Sequence, residues 1–187
     1  MSRAGYVLVG GRSSRMGRDK ALLPFRGGVL AESVAREVTS AAGSAVLVGD
    51  PSRYAAYGYP VIPDRYPGEG PLGGILTALY HTTAEWNLVV ACDMPALASA
   101  FLRRILDAAE QSDADALVPT GPSGFPEPLC AAYHARSRDS LQGAFVRGER
   151  KVMAAVASLQ VVLWPMAELA PFQNVNTPED WAGYAAE

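Results

Sequence analysis

The 187-residue chain is expected to form an α/β domain layered around a mostly parallel sheet. Two observations predict it. Short apolar runs of strand length alternate with segments of helical spacing, the pattern that builds strands linked by crossover helices. In addition, Gly10, Asp64 and Asp93 each fall just after such a run. Open α/β sheets gather their binding groups at the carboxyl ends of parallel strands.

Tyr6-Val7-Leu8-Val9 reads as a buried first strand ending at Gly10-Gly11. Val29, Leu30, Val34 and Val38 share one face of a helix over 29–42, which Gly43 closes. Ala45-Val46-Leu47-Val48 is a second strand and Val61-Ile62 a short third. Pro71 suits the first turn of a helix running through Leu79 and Tyr80. Leu88-Val89-Val90-Ala91 is a fourth strand ending at Asp93, followed by a helix over 99–111. Ala116-Leu117-Val118 is a fifth strand. A strand over 129–133, a helix over 136–146, a strand over 161–163 and a terminal helix opened by Pro178 complete the reading. No repeat, low-complexity tract or linker divides the chain, so residues 1–187 read as one domain large enough to bury a substantial core.

No run of about 18 apolar residues is present, which argues against a membrane span. The N-terminus enters the first strand without the apolar stretch of a signal peptide, so a cytoplasmic location is expected. Cys92 and Cys130 lie far apart with no CxxC spacing, which argues against a disulfide framework or structural zinc. The net charge of −3 argues against a nucleic-acid partner. Its distribution is more telling. Arg12, Arg15, Arg18 and Lys20 against Asp19 give residues 12–20 a charge of +3, leaving −6 elsewhere. Such a segment suits a small anionic ligand. Arg147, Arg150 and Lys151 beside Glu149 form a looser basic group, readable as a second anion site or as a solvated helix end.

The densest chemistry lies in Leu8-Val9-Gly10-Gly11-Arg12-Ser13-Ser14-Arg15-Met16-Gly17-Arg18-Asp19-Lys20. Glycines after a strand let backbone N–H groups approach phosphate oxygens, and Arg and Lys add charge-assisted contacts. Lys20 is followed by Ala21, so this is not a Walker A loop, and the adjacent Gly10 and Gly11 are not GxGxxG. The competing reading is a solvated basic loop. In Ala91-Cys92-Asp93-Met94-Pro95, Asp93 ends an apolar strand, where a carboxylate is costly to bury without a partner. Mg²⁺ is the natural partner, because it uses few carboxylates and takes substrate phosphates as further ligands. The alternative is a helix N-cap. Pro63-Asp64-Arg65-Tyr66-Pro67-Gly68-Glu69-Gly70-Pro71-Leu72-Gly73-Gly74 fixes backbone donors and acceptors in a way that suits the edge of a flat base. Asp64 is placed to accept from a base or sugar, or to approach a metal through water. A simple connecting turn is the alternative.

These segments resemble the nucleotidyltransferases that build molybdopterin dinucleotides. Leu8 to Lys20 looks like their signature, and Gly70-Pro71-Leu72-Gly73-Gly74 and Cys92-Asp93-Met94-Pro95 follow in the same order and spacing. Pro126-Glu127-Pro128-Leu129, Gly148-Glu149-Arg150-Lys151-Val152 and Asn174-Val175-Asn176-Thr177-Pro178-Glu179-Asp180 extend the match over essentially the whole chain. The chain is most similar to the molybdenum cofactor guanylyltransferase family.

The resemblance implies a three-layer, Rossmann-like nucleotidyltransferase fold. It implies transfer of GMP from GTP to the terminal phosphate of molybdopterin, with Mg²⁺ as cofactor and pyrophosphate released. Its implied partners are the two substrates and, transiently, other molybdenum cofactor proteins. Carried over, Leu8, Val9, Gly10 and Gly11 would meet the nucleotide through their backbone, Lys20 its phosphates, and Asp64, Gly70, Pro71, Leu72 and Gly73 the nucleoside. Asp93 would hold magnesium. Arg15, Lys20 and Asp93 would be catalytic, and Asn174 and Asn176 would contact the pterin, the alternative being that they shape the turn before Pro178. The Gly-Pro-Leu-x-Gly form of the third loop resembles guanylyl rather than cytidylyl members. Val9 stands where alanine is usual, and Val48-Gly49-Asp50 stands where the family often has a nucleotide-contacting asparagine. Two other readings remain: a cytidylyl or sugar-phosphate nucleotidyltransferase, and a GTP-binding protein without turnover. His81 and His134 suit surface or capping roles, and Cys92 suits a buried strand end.

Overall fold

The computed structural model describes residues 1–10, 19–167 and 173–184. In chain order these form β1 (Arg3–Leu8), a hairpin of β2 (Pro24–Phe25) and β3 (Gly28–Val29), α1 (Leu30–Ala42), β4 (Val46–Val48), α2 (Pro51–Tyr54) and β5 (Val61–Ile62). There follow α3 (Pro71–His81), β6 (Trp86–Ala91), α4 (Ser99–Glu110), β7 (Ala116–Thr120), β8 (Cys130–His134), α5 (Arg138–Val146), α6 (Val152–Val156), β9 (Val161–Pro165) and α7 (Pro178–Ala182). Among the described residues the main sheet runs β5-β4-β1-β6-β8-β7-β9, and only β8 is antiparallel to its neighbours. The expected α/β class and mostly parallel sheet are present.

Alternation along the strands builds the layers. Val7, Leu47, Leu88 and Val90 pack with α1 and α4 on one face. Tyr6, Val48 and Val89 point to the other, against α3, α5 and α6. The chain runs outward from β1 through β4 to β5, then returns through α3 to place β6 on the opposite side of β1. That reversal opens a crevice at the strand carboxyl ends. Register keeps those ends level, since Leu8 pairs with both Val48 and Ala91.

Local chemistry sets the helix ends. Glu32 accepts from the Val29 N–H at 2.8 Å to start α1, and Gly43, at φ 83°, ends it. The first turn of α4 lacks a cap from its own neighbourhood. Glu37 of α1 supplies one across the layer, accepting from Ser99 N–H at 2.6 Å. Asp93 therefore does not cap α4. His134 caps the turn at Ala135–Ser137 by accepting from Arg136 N–H. His81 is exposed at the end of α3 and meets the Tyr6 hydroxyl at 3.0 Å. Cys92 is buried, and burial raises its thiol pKa. The hairpin, α2 and α6 went unread in the sequence. Their strands and helices are five residues or shorter, too short to show a period.

Candidate active site

A cleft of about 680 Å³ opens where the level ends of β4, β1 and β6 meet the chain reversal. Leu8, Val48 and Ala91 supply its apolar floor. Gly10 follows β1 with φ 118°, a conformation that favours glycine. Val9 contributes differently: its side chain is buried, and its N–H already donates to Val48 C=O at 3.0 Å. Gly11, Arg12, Arg15 and Arg18 lie outside the described residues.

Lys20 opens a short 3-10 turn at the cleft rim. Its ammonium donates to Asn176 Oδ1 at 2.7 Å and stands 3.6 Å from Asp93 Oδ2. Asp93 follows β6 on the cleft floor, with its Oδ1 buried and without a hydrogen-bond partner among the described residues. Burial raises its pKa, with the Lys20 charge opposing. An orphaned carboxylate oxygen beside a cation suits a hard divalent ion sharing its shell with phosphates. No group of three His, Cys, Asp or Glu side chains able to cage a metal occurs among the described residues. The donor set fits Mg²⁺ better than a metal needing several protein ligands.

The late segment reaches the same place. Val175 N–H donates to Asp93 C=O at 2.8 Å, and its fully buried side chain packs with Leu23. Asp180 accepts from the N–H groups of Asn176 and Thr177 at 2.8 and 2.9 Å, fixing the turn that presents Asn176. Asn176, expected at the pterin, thus meets Lys20, expected at the phosphates. Asn174 is exposed in the same segment.

The loop after β5 forms another wall. Asp64 accepts from Tyr66 N–H at 3.0 Å and from the Thr77 hydroxyl at 2.9 Å while lining the cleft. Gly68 and Gly70, with φ 81° and 86°, turn the backbone along the wall into Pro71. Leu72 is fully buried in the core, and Gly73 faces away from the cleft against Tyr66. Neither places a side chain on the wall, because α3 has begun and packs there. Arg150 braces this loop by pairing with Glu69 at 2.6 Å while stacking 3.9 Å from the Phe145 ring centre. Glu149 takes the N–H groups of Arg150 and Lys151. Arg150 is therefore committed to the loop rather than to a separate anion.

At the position of the family asparagine, Val48 lines the cleft and Asp50 turns back to cap α2, accepting from Ser52 N–H at 2.9 Å. The polar side chain reaching the cleft from this segment is Arg53, three residues beyond Asp50. Sequence reasoning missed it, although an arginine just past a strand's carboxyl end was the available signal. Glu127 was also left without a role. Burial raises its pKa, and the Asp93 charge adds to the effect.

A parallel-sheet cleft with a glycine turn, a lysine at its rim and a buried carboxylate is the frame of a nucleotidyltransferase, and comparisons with known proteins place the chain in that class. The family model for the MobA-like NTP transferase domain matches residues 5–162. The probable molybdenum cofactor guanylyltransferase of Deinococcus radiodurans is 36% identical over 94% of this chain and 90% of its own. The molybdenum cofactor guanylyltransferase of Bradyrhizobium sp. is 37% identical, over 95% and 89%. The crystal structure of molybdopterin-guanine dinucleotide biosynthesis protein A from Archaeoglobus fulgidus superposes with a TM-score of 0.83 at 31% identity, over 97% and 96% of the two chains. The chain belongs to the MobA-like NTP transferase family.

Proposed function

We propose that this protein transfers GMP from GTP to the terminal phosphate of molybdopterin, giving the guanine dinucleotide and pyrophosphate. The observation that carries the reading is the Asp93–Lys20–Asn176 contact at the foot of the cleft. It joins the residue suited to a phosphate-bound metal, a phosphate cation, and the segment expected at the acceptor.

The incoming phosphate is already anionic near neutral pH, so the chain need supply no strong base. Its task is to bring two anions together and to offset charge as the α-phosphorus is attacked. Lys20 serves that role from the rim. Asp93 would hold Mg²⁺, which when bound supplies further charge neutralisation at the phosphates. The backbone of Gly68 to Pro71 and of Leu8 would read the guanine edge. Cytosine and adenine lack its neighbouring donors and carbonyl, and each buried group left unpaired costs about 1–3 kcal/mol. Two such groups give roughly hundredfold discrimination.

The test supplies equal GTP, CTP and ATP with Mg²⁺ and molybdopterin, and follows which dinucleotide forms. Guanine dinucleotide with matching pyrophosphate is expected. Equal use of GTP and CTP would return the chain to the broader nucleotidyltransferase class. GTP binding without pyrophosphate would make it a nucleotide-binding protein.

A further inference from the structure

The cleft presents a problem for an anionic ligand. Among its described lining residues the acids are Asp19, Asp64 and Asp93, while the cations are Lys20 and Arg53. Asp19 is the residue most firmly locked in place. Its side chain is only 10% exposed. Oδ1 accepts from Ala21 N–H at 3.1 Å, and Oδ2 accepts from the Tyr54 hydroxyl at 2.6 Å. Tyr54 is itself fully buried, and burial, with the Asp19 carboxylate adding to it, raises its phenol pKa, so the hydroxyl remains a donor. Asp19 thus cannot swing away when a nucleotide enters, and it directly precedes the phosphate-type Lys20.

Arg53 provides the remedy. Its guanidinium pairs with Asp19 Oδ2, yet the side chain remains half exposed on the cleft wall. The helix carrying it is anchored by Asp50, which accepts from both the N–H and the hydroxyl of Ser52. Tyr54 and Ala21 would hold the Asp19 carboxylate in place even without Arg53. Geometry therefore does not require the arginine; what it adds to Asp19 is charge.

We propose that Arg53 is a positioning residue for nucleotide binding, acting as the fixed counter-charge that makes the buried Asp19 carboxylate compatible with an anionic nucleotide. This rests on the GTP reading above. An uncompensated carboxylate repels every phosphate charge nearby, so its effect grows with ligand charge and is screened by salt.

The experiment measures binding of GMP, GDP and GTP by calorimetry to the full chain and to Arg53→Gln, Arg53→Lys and Arg53→Gln/Asp19→Asn, with circular dichroism confirming the fold of each. Arg53→Gln should weaken GTP binding by about tenfold at low salt, GMP by much less, with the gap narrowing at high salt. Arg53→Lys keeps the charge and should bind GTP within about threefold of the parent. Adding Asp19→Asn removes the repulsion; its single amide oxygen can still accept from the Ala21 N–H while the amide nitrogen donates to the Tyr54 hydroxyl oxygen, and it should restore GTP binding to within about threefold. Failure of that second substitution to rescue binding would show that Arg53 touches the nucleotide itself and would overturn the proposal. Equal losses for GMP and GTP, or no loss, would overturn it as well. A parent protein that binds none of the three would overturn the GTP reading and this inference together.

Discussion

Lys20 works between two partners, donating to Asn176 and facing Asp93, so each of the three side chains has a distinguishable failure. Lys20→Ala removes a cation that, on the proposed reaction, would serve bound substrate and transition state alike. The loss should be about 2 kcal/mol, roughly thirtyfold in kcat/KM for GTP. Steady-state kinetics showing no change would leave Lys20 a rim residue. Asp93→Asn should abolish turnover, because the amide lacks the charge that would hold Mg²⁺, while metal-free GTP binding should change far less. Stability should move the other way. Burial raises the Asp93 pKa in the fold, so ionising it costs stability as pH rises from the ordinary value of about 3.9 through the folded one. The asparagine escapes that cost. Its Tm near neutral pH should match or exceed the parent's, with the difference shrinking in acid. A variant clearly less stable than the parent at neutral pH would mean that the Lys20 contact outweighs desolvation. Asp93 and Lys20 were legible in the sequence because each carries a charge at a strand end or loop end. The Lys20–Asn176 bond was not, because it spans 156 positions and depends on how the last segment folds back.

At the scale of elements, the glycines of the third loop divide between two tasks that a motif cannot separate. Gly70 turns the backbone along the cleft, whereas Gly73 lets α3 lie against Tyr66. A Cβ at residue 73 would stand 2.9 Å from Tyr66 Cβ and 3.2 Å from its carbonyl. Tyr66 cannot easily retreat, since its ring packs 4.6 Å from that of Phe145 and its hydroxyl donates to Gln142. Gly73→Ala should therefore cost about 1–3 kcal/mol of stability, despite alanine's better helix propensity, and weaken GTP binding through the displaced loop. Denaturant unfolding checks the first effect and nucleotide titration the second. An alanine variant as stable as the parent would show that the loop yields freely. Long periodic segments such as α1 and α4 were placed to within a residue or two, since period and caps are written locally. The reach of Glu37 to cap α4 and of Arg150 to brace the loop join segments distant in sequence and leave no local trace.

For the molecule as a whole, the cleft is where separately folded parts converge: the ends of three strands, the first turn of α3, and the turn held by Asp180. The β6–Asp93 backbone is bonded to the late segment through Val175, which also packs on Leu23 beside Lys20. On the proposed reading, a nucleotide seated there would contact these parts together in the folded chain only. It should therefore stabilise the entire domain by mass action. GTP with Mg²⁺ at about a hundred times its Kd adds about 2.7 kcal/mol, which for a chain of this size raises Tm by roughly 5–10 °C. Hydrogen exchange should slow in the same complex at both Lys20–Leu23 and Val175–Thr177, because Lys20 and Asn176 are drawn into one contact network. CTP at equal concentration should give a much smaller shift, and Lys20→Ala should lose most of the GTP shift. A rise in Tm that CTP reproduces in full would deny the Gly68–Pro71 wall its role in reading the base. Protection at Lys20–Leu23 without any at Val175–Thr177 would show instead that the late segment folds apart from the nucleotide and waits for the second substrate.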